Sequence, residues 1–335
     1  MKMNLTPEIK AQLEEQKKQC VFCKILAKEI PGKIVFEDDK TAAILDIYPA
    51  LKGHTVFLLK EHYPIMPYIP ADEFKHYFGL MPQLSKAIKK AMVSTGVNIF
   101  IANGGVAGQQ APHFLTHLLP RENGDGFFNF LFDKRKTSLA EDKVKMLAHN
   151  FPIMMQNHFG RNPAAWHLGK GEVPSFLEDV YNSNSVIYED EKVLCVVPEK
   201  GLTEGHIEIY SKNEEQNIEN LSIEDSSHLF FTASFAATAV FEGLGAQGTN
   251  IIIKSGNSDD NSEGKLCLHV LPRMQDDHLQ GLLWQPKQPK YNLDGIASKL
   301  KDKTWNIKYE EKKEIVTKPS TSQDEIRKAI ENIKE

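Results

Sequence analysis

Two histidines and a leucine alternate directly after a glycine-rich turn, and their types and spacing could serve chemistry. The turn occupies residues 103–110, and His113, Leu115 and His117 follow it in an apolar stretch. Side chains alternate across a β-strand, so a strand here would place these three residues on one face. The backbone amides of the turn could also donate hydrogen bonds to an anion.

The cysteines are a second group of residues with chemical potential. The chain has four, of which Cys20 and Cys23 lie three positions apart. In a reducing compartment this spacing indicates metal or redox chemistry before a structural disulfide. Cys195 and Cys267 lie in apolar runs, and we expect both to be buried.

The composition is typical of a globular protein with two domains. The chain has 335 residues, of which 41% are hydrophobic and 25% are charged. The net charge of −5 argues against attraction of the whole surface to nucleic acid or to an anionic membrane, although it allows a local basic patch. The sequence shows neither a signal-peptide pattern nor an apolar run of about 20 residues, so we expect a cytoplasmic protein without a membrane segment.

Strands and helices alternate in the first third of the chain in the manner of an α+β domain. Residues 33–59 predict a β-hairpin and a third strand. Residues 71–94 have apolar side chains near helical spacing and predict one helix or two, because Pro82 would kink or split a helix. Residues 98–102 and 114–119 predict two further strands that close the domain.

An internal repeat determines the domain organisation. Four short motifs recur at a constant spacing of 152 residues, as in 189 − 37 and 273 − 121. The pairs are Glu37-Asp38 with Glu189-Asp190, Gly53-His54 with Gly205-His206, Asn98-Ile99 with Asn250-Ile251, and the segment 117–121 with 269–273. Chance does not preserve register in this way, so the chain contains two copies of one domain.

The stretch from His113 to Arg121 resembles the signature of the histidine-triad (HIT) family of nucleotide hydrolases and transferases. In that signature three histidines alternate with apolar residues, and here Leu115 replaces the middle one. The resemblance covers residues 20–126, and residues 172–275 more weakly. HIT proteins typically dimerise through their sheets. The resemblance therefore implies an α+β fold of two HIT-like domains, each an antiparallel sheet with helices, that form an intramolecular pseudo-dimer followed by a C-terminal extension.

The same resemblance implies impaired or absent catalysis. In HIT enzymes the middle histidine attacks the α-phosphorus of a nucleotide and carries it as a covalent intermediate, which requires a ring nitrogen with a free lone pair. Leu115 has none, and the matching position of the second copy is Cys267. A thiolate is nucleophilic in principle, but no activating residue is close in sequence, so we interpret Cys267 as an apolar strand residue.

Other family positions are retained in the first copy and predict a nucleotide site. Gln109 and His117 match residues that contact the phosphate, and Asp46 matches the acidic residue that binds the ribose hydroxyls. In the second copy the positions of Asp46, Gln109 and Gly108 hold Pro198, Asn261 and Asp260. Asp260 is expected to repel a phosphate, so we interpret the second domain as a degenerate copy kept for packing or for a partner surface.

The resemblance also implies a structural zinc site. HIT proteins with a Cys-x-x-Cys sequence hold zinc with these two cysteines, a histidine after the third strand and the first triad histidine. The matching residues here are Cys20, Cys23, His62 and His113, a closed tetrahedral set without a position for water. All four ligands are lost together in the second copy, where the positions hold Glu172, Ser175, Glu214 and Lys265.

These observations predict five segments. Ser138 and Glu141 form a capping-box pattern between the copies, residues 285–290 indicate a rigid proline-containing linker, and an accessory helix is expected to begin at Ser322. The segments are an N-terminal helix (1–19), a zinc-bearing HIT-like domain (20–126), a helical linker (127–171), a degenerate HIT-like domain (172–284), and a C-terminal linker and helix (285–335).

Two classes of function stay open. The first is a protein that binds a purine nucleotide and resembles enzymes acting on dinucleoside polyphosphates or nucleoside phosphoramidates; the retention of Asp46, Gln109 and His117 favours it. The second is a non-catalytic interaction or regulatory protein that binds a macromolecular partner through the second domain or the C-terminal tail. The loss of the nucleophile from both copies favours this alternative.

Overall fold

A computed structural model describes residues 7–132, 135–159, 171–261 and 264–310. The helix predicted to begin at Ser322 lies outside these residues. The helices are α1 (Pro7–Gln19), α2 (Val21–Leu26), α3 (Ala71–Gly79), α4 (Met81–Met92), α5 (Glu141–Phe159), α6 (Glu178–Ser183), α7 (Ile223–Leu244) and α8 (Leu293–Thr304). Within the described ranges, no helix is long and apolar enough to cross a membrane.

Ten strands of the described residues form one antiparallel sheet. The first copy contributes β1 (Ile34–Glu37), β2 (Thr41–Leu45), β3 (Thr55–Leu59), β4 (Gly96–Asn103) and β5 (Thr116–Arg121). The second contributes β6 (Ser185–Glu189), β7 (Val193–Val197), β8 (Ile207–Ser211), β9 (Gly248–Gly256) and β10 (Cys267–Arg273). The strand order is β1-β2-β3-β5-β4-β9-β10-β8-β7-β6, so the second half repeats the first in reverse.

The pairing of β4 with β9 joins the two copies. Its antiparallel register runs from Gly96 opposite Gly256 to Asn103 opposite Thr249. Both strands are rich in β-branched apolar residues, which favour a strand buried on both faces. Because the pairing partners are equivalent strands of the repeat, a pseudo-twofold axis passes between them. The predicted α+β fold with an intramolecular pseudo-dimer is confirmed.

The hydrophobic core continues from one copy into the other. Helices α3 and α7 pack together, with the ring of Phe78 stacked on Phe230 at 4.2 Å and Phe74 stacked on Phe231 at 4.1 Å between centroids. Phe78 and Phe230 are separated by the repeat spacing of 152 residues, so their contact lies at the pseudo-twofold axis. The two copies therefore share one core beneath a single sheet.

Two helical features refine the predictions from sequence. The apolar pattern of residues 71–94 forms two helices, and Pro82 lies in the first turn of α4, where no backbone donor is needed. Helix α8 lies within the stretch predicted to be a linker and tail. Asn292 caps its N-terminus by accepting from the amides of Asp294 and Gly295, and the helix packs against α4 and β1.

Candidate functional site

Two cysteines and two histidines from separate stretches of the first copy meet at one point. Cys20 precedes α2 and Cys23 lies within it, whereas His62 follows β3 and His113 precedes β5. The sulfur of Cys23 lies 3.3 Å from Nδ1 of His62 and 3.5 Å from Nδ1 of His113. The sulfur of Cys20 lies 3.6 Å from the same atom of His113. The four predicted metal ligands thus form one group, called the Cys2His2 cluster below.

The geometry of the Cys2His2 cluster suits a tetrahedral metal ion. Bonds of about 2.0 to 2.3 Å place tetrahedral ligand atoms about 3.3 to 3.8 Å apart, which matches the measured separations. Nε2 of His113 donates to the carbonyl oxygen of Leu59 at 2.9 Å, so the lone pair lies on Nδ1, which faces the sulfurs. A hydrogen bond between the two thiols holds the pKa of Cys20 well below its usual range and raises the pKa of Cys23, so the pair shares one proton, which a metal ion would displace on binding.

A cavity of about 200 Å³, called the first cavity below, lies beside β5 in the first copy. Its lining includes Asp46, Gln109 and His117, the three residues predicted to contact a nucleotide. Leu115 also lines it, at the position where the family signature has its nucleophile. The loop after β2, the glycine-rich turn and the start of β5 are distant in sequence. Residues from all three line this one cavity.

His54 connects His117 to Asp46. Nε2 of His54 lies 3.0 Å from Nδ1 of His117, and Nδ1 of His54 lies 3.5 Å from the Asp46 carboxylate. Burial lowers the pKa of each histidine to about 3, and repulsion between the protonated forms of the two rings adds to the effect at His117. Both rings are neutral at pH 7, so the Nε2 atom of His117 can act on a ligand as a neutral donor or acceptor.

Strand pairing covers only part of the triad stretch. Strand β5 begins at Thr116, so His113 and Leu115 precede the region of strand pairing. Leu115 and His117 still line the same cavity, whereas His113 turns towards the cysteines. That all three residues face one surface stays a prediction for His113, which lies outside the paired part of the strand.

Gln109 holds the glycine-rich turn in shape. Its side-chain oxygen accepts from the amide of Gly104 at 2.8 Å, and its nitrogen donates to the carbonyl oxygens of Pro64 and Ala111 at 2.6 and 3.0 Å. Both amide hydrogens are thereby engaged with the backbone. Gly108, beside it, has a φ of +88°, and a Cβ there would lie 2.5 Å from a methyl group of Leu283. The turn thus permits close approach of the second copy's C-terminal segment.

Trp284 is the cavity residue that sequence reasoning missed. It follows β10 of the second copy but lies against the first cavity, with its ring 5.3 Å from His117 and 5.4 Å from His54 between centroids. Phe132, which precedes it by 152 residues, lies 4.8 Å from His269 in the second copy. Each copy therefore places an aromatic ring over the histidines of the other. The repeat spacing relates Trp284 to Phe132, but no local pattern in the sequence predicts that each ring packs against the histidines of the other copy.

A model of the HIT domain matches residues 27–124 and 181–276, which together are more than half of the chain. This chain belongs to the HIT family. Both matched segments coincide with the copies defined by the repeat, so the family assignment applies to each half of the pseudo-dimer.

The three relatives named below each match about a third of the chain, roughly the length of one copy. An uncharacterized HIT-like protein of Methanocaldococcus jannaschii is 42% identical over 107 residues, which are 32% of this chain and 82% of that protein. An adenylylsulfatase of Arabidopsis thaliana is 38% identical over 106 residues, 32% of this chain and 54% of that protein. A zinc-bound histidine triad family protein of Mycobacterium smegmatis is 30% identical, with a TM-score of 0.31 over 33% of this chain and 80% of that chain.

The nucleophile position of the second HIT copy holds a buried thiol. Cys267 lies 4.0 Å from Nδ1 of His269, and burial raises the pKa of the thiol well above its usual range. A protonated thiol is a poor nucleophile, which agrees with the interpretation of Cys267 as an apolar strand residue. The carboxylate of Glu208 lies 3.4 Å from Nδ1 of the same histidine, His269, and forms an ion pair with Arg135.

Asp260 bridges the two HIT copies, which the sequence did not indicate. Its carboxylate accepts from Arg121 at 2.7 Å, from Asn98 at 2.9 Å and from Ser258 at 2.7 Å. The side chains of Asp260 and Arg121 are fully buried. The prediction that Asp260 repels a phosphate assumed an uncompensated charge, whereas the guanidinium of the other copy compensates it.

Proposed function

We propose that this chain binds a purine nucleotide, or a ligand that contains one, in the first cavity, and that nucleotidyl transfer there is impaired or absent. One observation carries the proposal: Asp46 and His117 line the same cavity as Leu115. Two of the groups that bind a nucleotide in the family are thus assembled around a position that lacks the nucleophile.

The expected contacts follow from the chemistry of each group. The Asp46 carboxylate, 22% exposed, accepts from the Tyr48 amide at 2.7 Å and keeps oxygen lone pairs for ribose hydroxyl donors. The neutral ring of His117 is suited to a phosphate oxygen, and the aromatic surface of Trp284 is suited to a purine. Gln109 supports these contacts by shaping the turn, since its amide hydrogens are engaged with the backbone.

We further propose that the Cys2His2 cluster holds one structural zinc ion. Two thiolates and two imidazoles complete a tetrahedral coordination sphere, so the ion would have no open position for a substrate. Its effect would be to fix α2 against the residues that flank β3 and β5, close to the first cavity. The separations between the ligand atoms support this assignment.

Calorimetric titration with AMP tests the nucleotide site. The unaltered chain should bind one AMP, and Asp46→Ala should weaken binding by about 1.5 to 3 kcal/mol, the contribution of a hydrogen bond to a charged group. Asp39→Ala makes the same change of charge at an exposed position and should bind like the unaltered chain. Two equal AMP sites, or equal affinity in the Asp46 and Asp39 variants, would contradict the proposal.

The alternative function is a non-catalytic protein that binds a macromolecular partner. It predicts that neither AMP nor diadenosine polyphosphates raise the melting temperature, because a ligand of the folded state must stabilise it. Thermal melting with these ligands therefore separates the two classes.

A further inference from the structure

The short helix α2 contributes to two sites at once. Cys20, directly before the helix, and Cys23, within it, supply both sulfurs of the Cys2His2 cluster. Phe22 lies between them in sequence, is half-buried and lines the first cavity. Its ring also lies edge-on to the imidazole of His113, with 6.4 Å between the ring centroids. One side chain therefore borders both a cluster ligand and the cavity proposed to hold a nucleotide.

The two histidines of the cluster lie on segments that also form the cavity wall. His113 precedes Leu115, which lines the first cavity, by two residues. His62 precedes Pro64 by two residues, and the Pro64 carbonyl oxygen accepts from the side-chain nitrogen of Gln109, another lining residue, at 2.6 Å. Each segment that carries a cluster ligand is thus either part of the wall or hydrogen-bonded to it.

The position of Phe22 depends on what holds α2 in place. The helix has six residues, none of which is buried, and no side chain caps its N-terminus. A helix of this length is not stable alone in water. Coordination of one metal ion would fix the two cysteines relative to His62 and His113 at bond lengths that vary little. It would thereby also fix Phe22 in the cavity wall.

The second copy lacks the cluster ligands and also lacks an aromatic ring at the position of Phe22. Its matching cavity, called the second cavity below, has a volume of about 180 Å³ and includes Cys267 and His269 in its lining. The residue equivalent to Phe22 is Pro174, which is not among the described residues that line this cavity. The metal ligands and the wall residue are therefore lost together, as expected if they work as a unit.

We propose that zinc in the Cys2His2 cluster and a nucleotide in the first cavity raise each other's affinity through Phe22, an inference that rests on the nucleotide and zinc sites proposed above. Helix α2 is fixed against the sheet when the cluster holds zinc, and contact of the nucleotide with Phe22 favours the same arrangement. Two ligands that favour one arrangement raise each other's affinity by the same factor. The nucleotide affinity of the chain would then depend on the zinc supply.

Calorimetric titration of the full chain with AMP measures this coupling, once with zinc bound and once after a chelator has removed it. Zinc should raise the AMP affinity by about 5- to 150-fold, the usual range for coupling between two sites. Titration with zinc in competition with a chelating dye should show the same factor when AMP is present, because coupling is reciprocal.

Two substitutions in α2 test the role of Phe22. Phe22→Ala leaves the cluster ligands intact, so the variant should still bind one zinc, while AMP and zinc should lose most of their effect on each other. Val21→Ala is the matched control, because Val21 lies between the same cysteines, is 56% exposed and is not among the described residues that line the first cavity. Its coupling should equal that of the unaltered chain.

The outcomes separate this inference from the proposed function. If the chain binds no zinc or no AMP, the proposed function fails and the inference fails with it. If the chain binds both, and neither changes the affinity for the other, only the inference is overturned. Equal coupling in Phe22→Ala and Val21→Ala would also overturn it; this is the result expected if zinc acts merely by keeping the whole chain folded, which circular dichroism of the zinc-free chain checks independently.

Discussion

At the scale of single residues, Leu115 decides what chemistry the first cavity can perform. Asp46 and His117, which line the same cavity, contact the nucleotide in the proposed function, yet an aliphatic side chain offers no lone pair to a phosphorus atom. Loss of a nucleophile of this kind lowers turnover by about 10⁴- to 10⁶-fold. We therefore expect hydrolysis of phosphoramidate and dinucleoside polyphosphate substrates barely above background.

Restoring the missing histidine tests whether the cavity is still organised for a phosphate. Leu115→His should raise the rate of AMP-phosphoramidate hydrolysis by at least about 100-fold, because His117 already lies beside the new ring and only the nucleophile is added. The measurement is steady-state release of AMP.

The controls separate rescue from a change of fold or from an unrecognised nucleophile. Leu115→Gln has a similar volume and no imidazole, and it should stay at background. An unaltered chain that hydrolyses these substrates efficiently, and still does so after His117→Ala and Cys267→Ala, would show that other residues perform the reaction.

At the scale of elements, the Cys2His2 cluster brings the short helix α2 into contact with residues that flank the sheet strands. Helix α2 has six residues, too few to be stable alone, and none of its residues is buried. Cys20 and Cys23 bring it against His62 and His113, which flank β3 and β5. A metal ion there would supply the stability that apolar contact does not.

Zinc content is therefore a test at this scale. Protein purified without added metal should contain close to one zinc per chain, measured by mass spectrometry of the dissolved metal. The double substitution Cys20→Ser and Cys23→Ser should remove the metal and lower the melting temperature, because metal binding is coupled to folding.

The second copy offers a matched control for the zinc prediction. Cys267→Ser changes a buried cysteine that lies outside the Cys2His2 cluster and should leave the zinc content unchanged. Absence of zinc from the unaltered chain, or full zinc content in the double variant, would be incompatible with the site.

At the scale of the whole molecule, the pseudo-twofold pairing of β4 with β9 brings charged groups of the two copies together. Arg121 of the first copy and Asp260 of the second are both fully buried, and Asp125 gives Arg121 a second carboxylate at 2.6 Å. Removal of one partner of a buried pair leaves the other charge poorly compensated, which is far more costly than loss of a surface pair.

Asp260→Ala should lower the free energy of unfolding by about 3 kcal/mol, at the lower end for a broken buried pair because Asp125 still neutralises Arg121. Denaturant unfolding measures the change. Asp259→Ala, at the exposed neighbouring position, should change it by less than about 1 kcal/mol. Equal unfolding free energies for the two variants would show that the bridge contributes nothing to stability.

The sequence alone determined the repeat, the two-copy architecture and the residues of the first copy's clusters. The repeat and the two-copy architecture follow from motifs whose spacing is fixed along the chain. Each motif has its equivalent in the second copy at a constant offset of 152 residues. The two cysteines and two histidines of the Cys2His2 cluster were identified from the resemblance to HIT proteins, and the fold brings them together.

Only the tertiary structure decided the contacts that cross between the copies. Trp284 reaches the first cavity, Asp260 pairs with Arg121, and Lys254 and Arg135 meet at the second cavity, each across a large separation in sequence. No local pattern encodes such contacts, because they arise from the pairing of β4 with β9 and from the path of the segments that follow β5 and β10. The charge of Asp260 could be read from the sequence, but its effect depended on which side chain the opposite copy placed beside it.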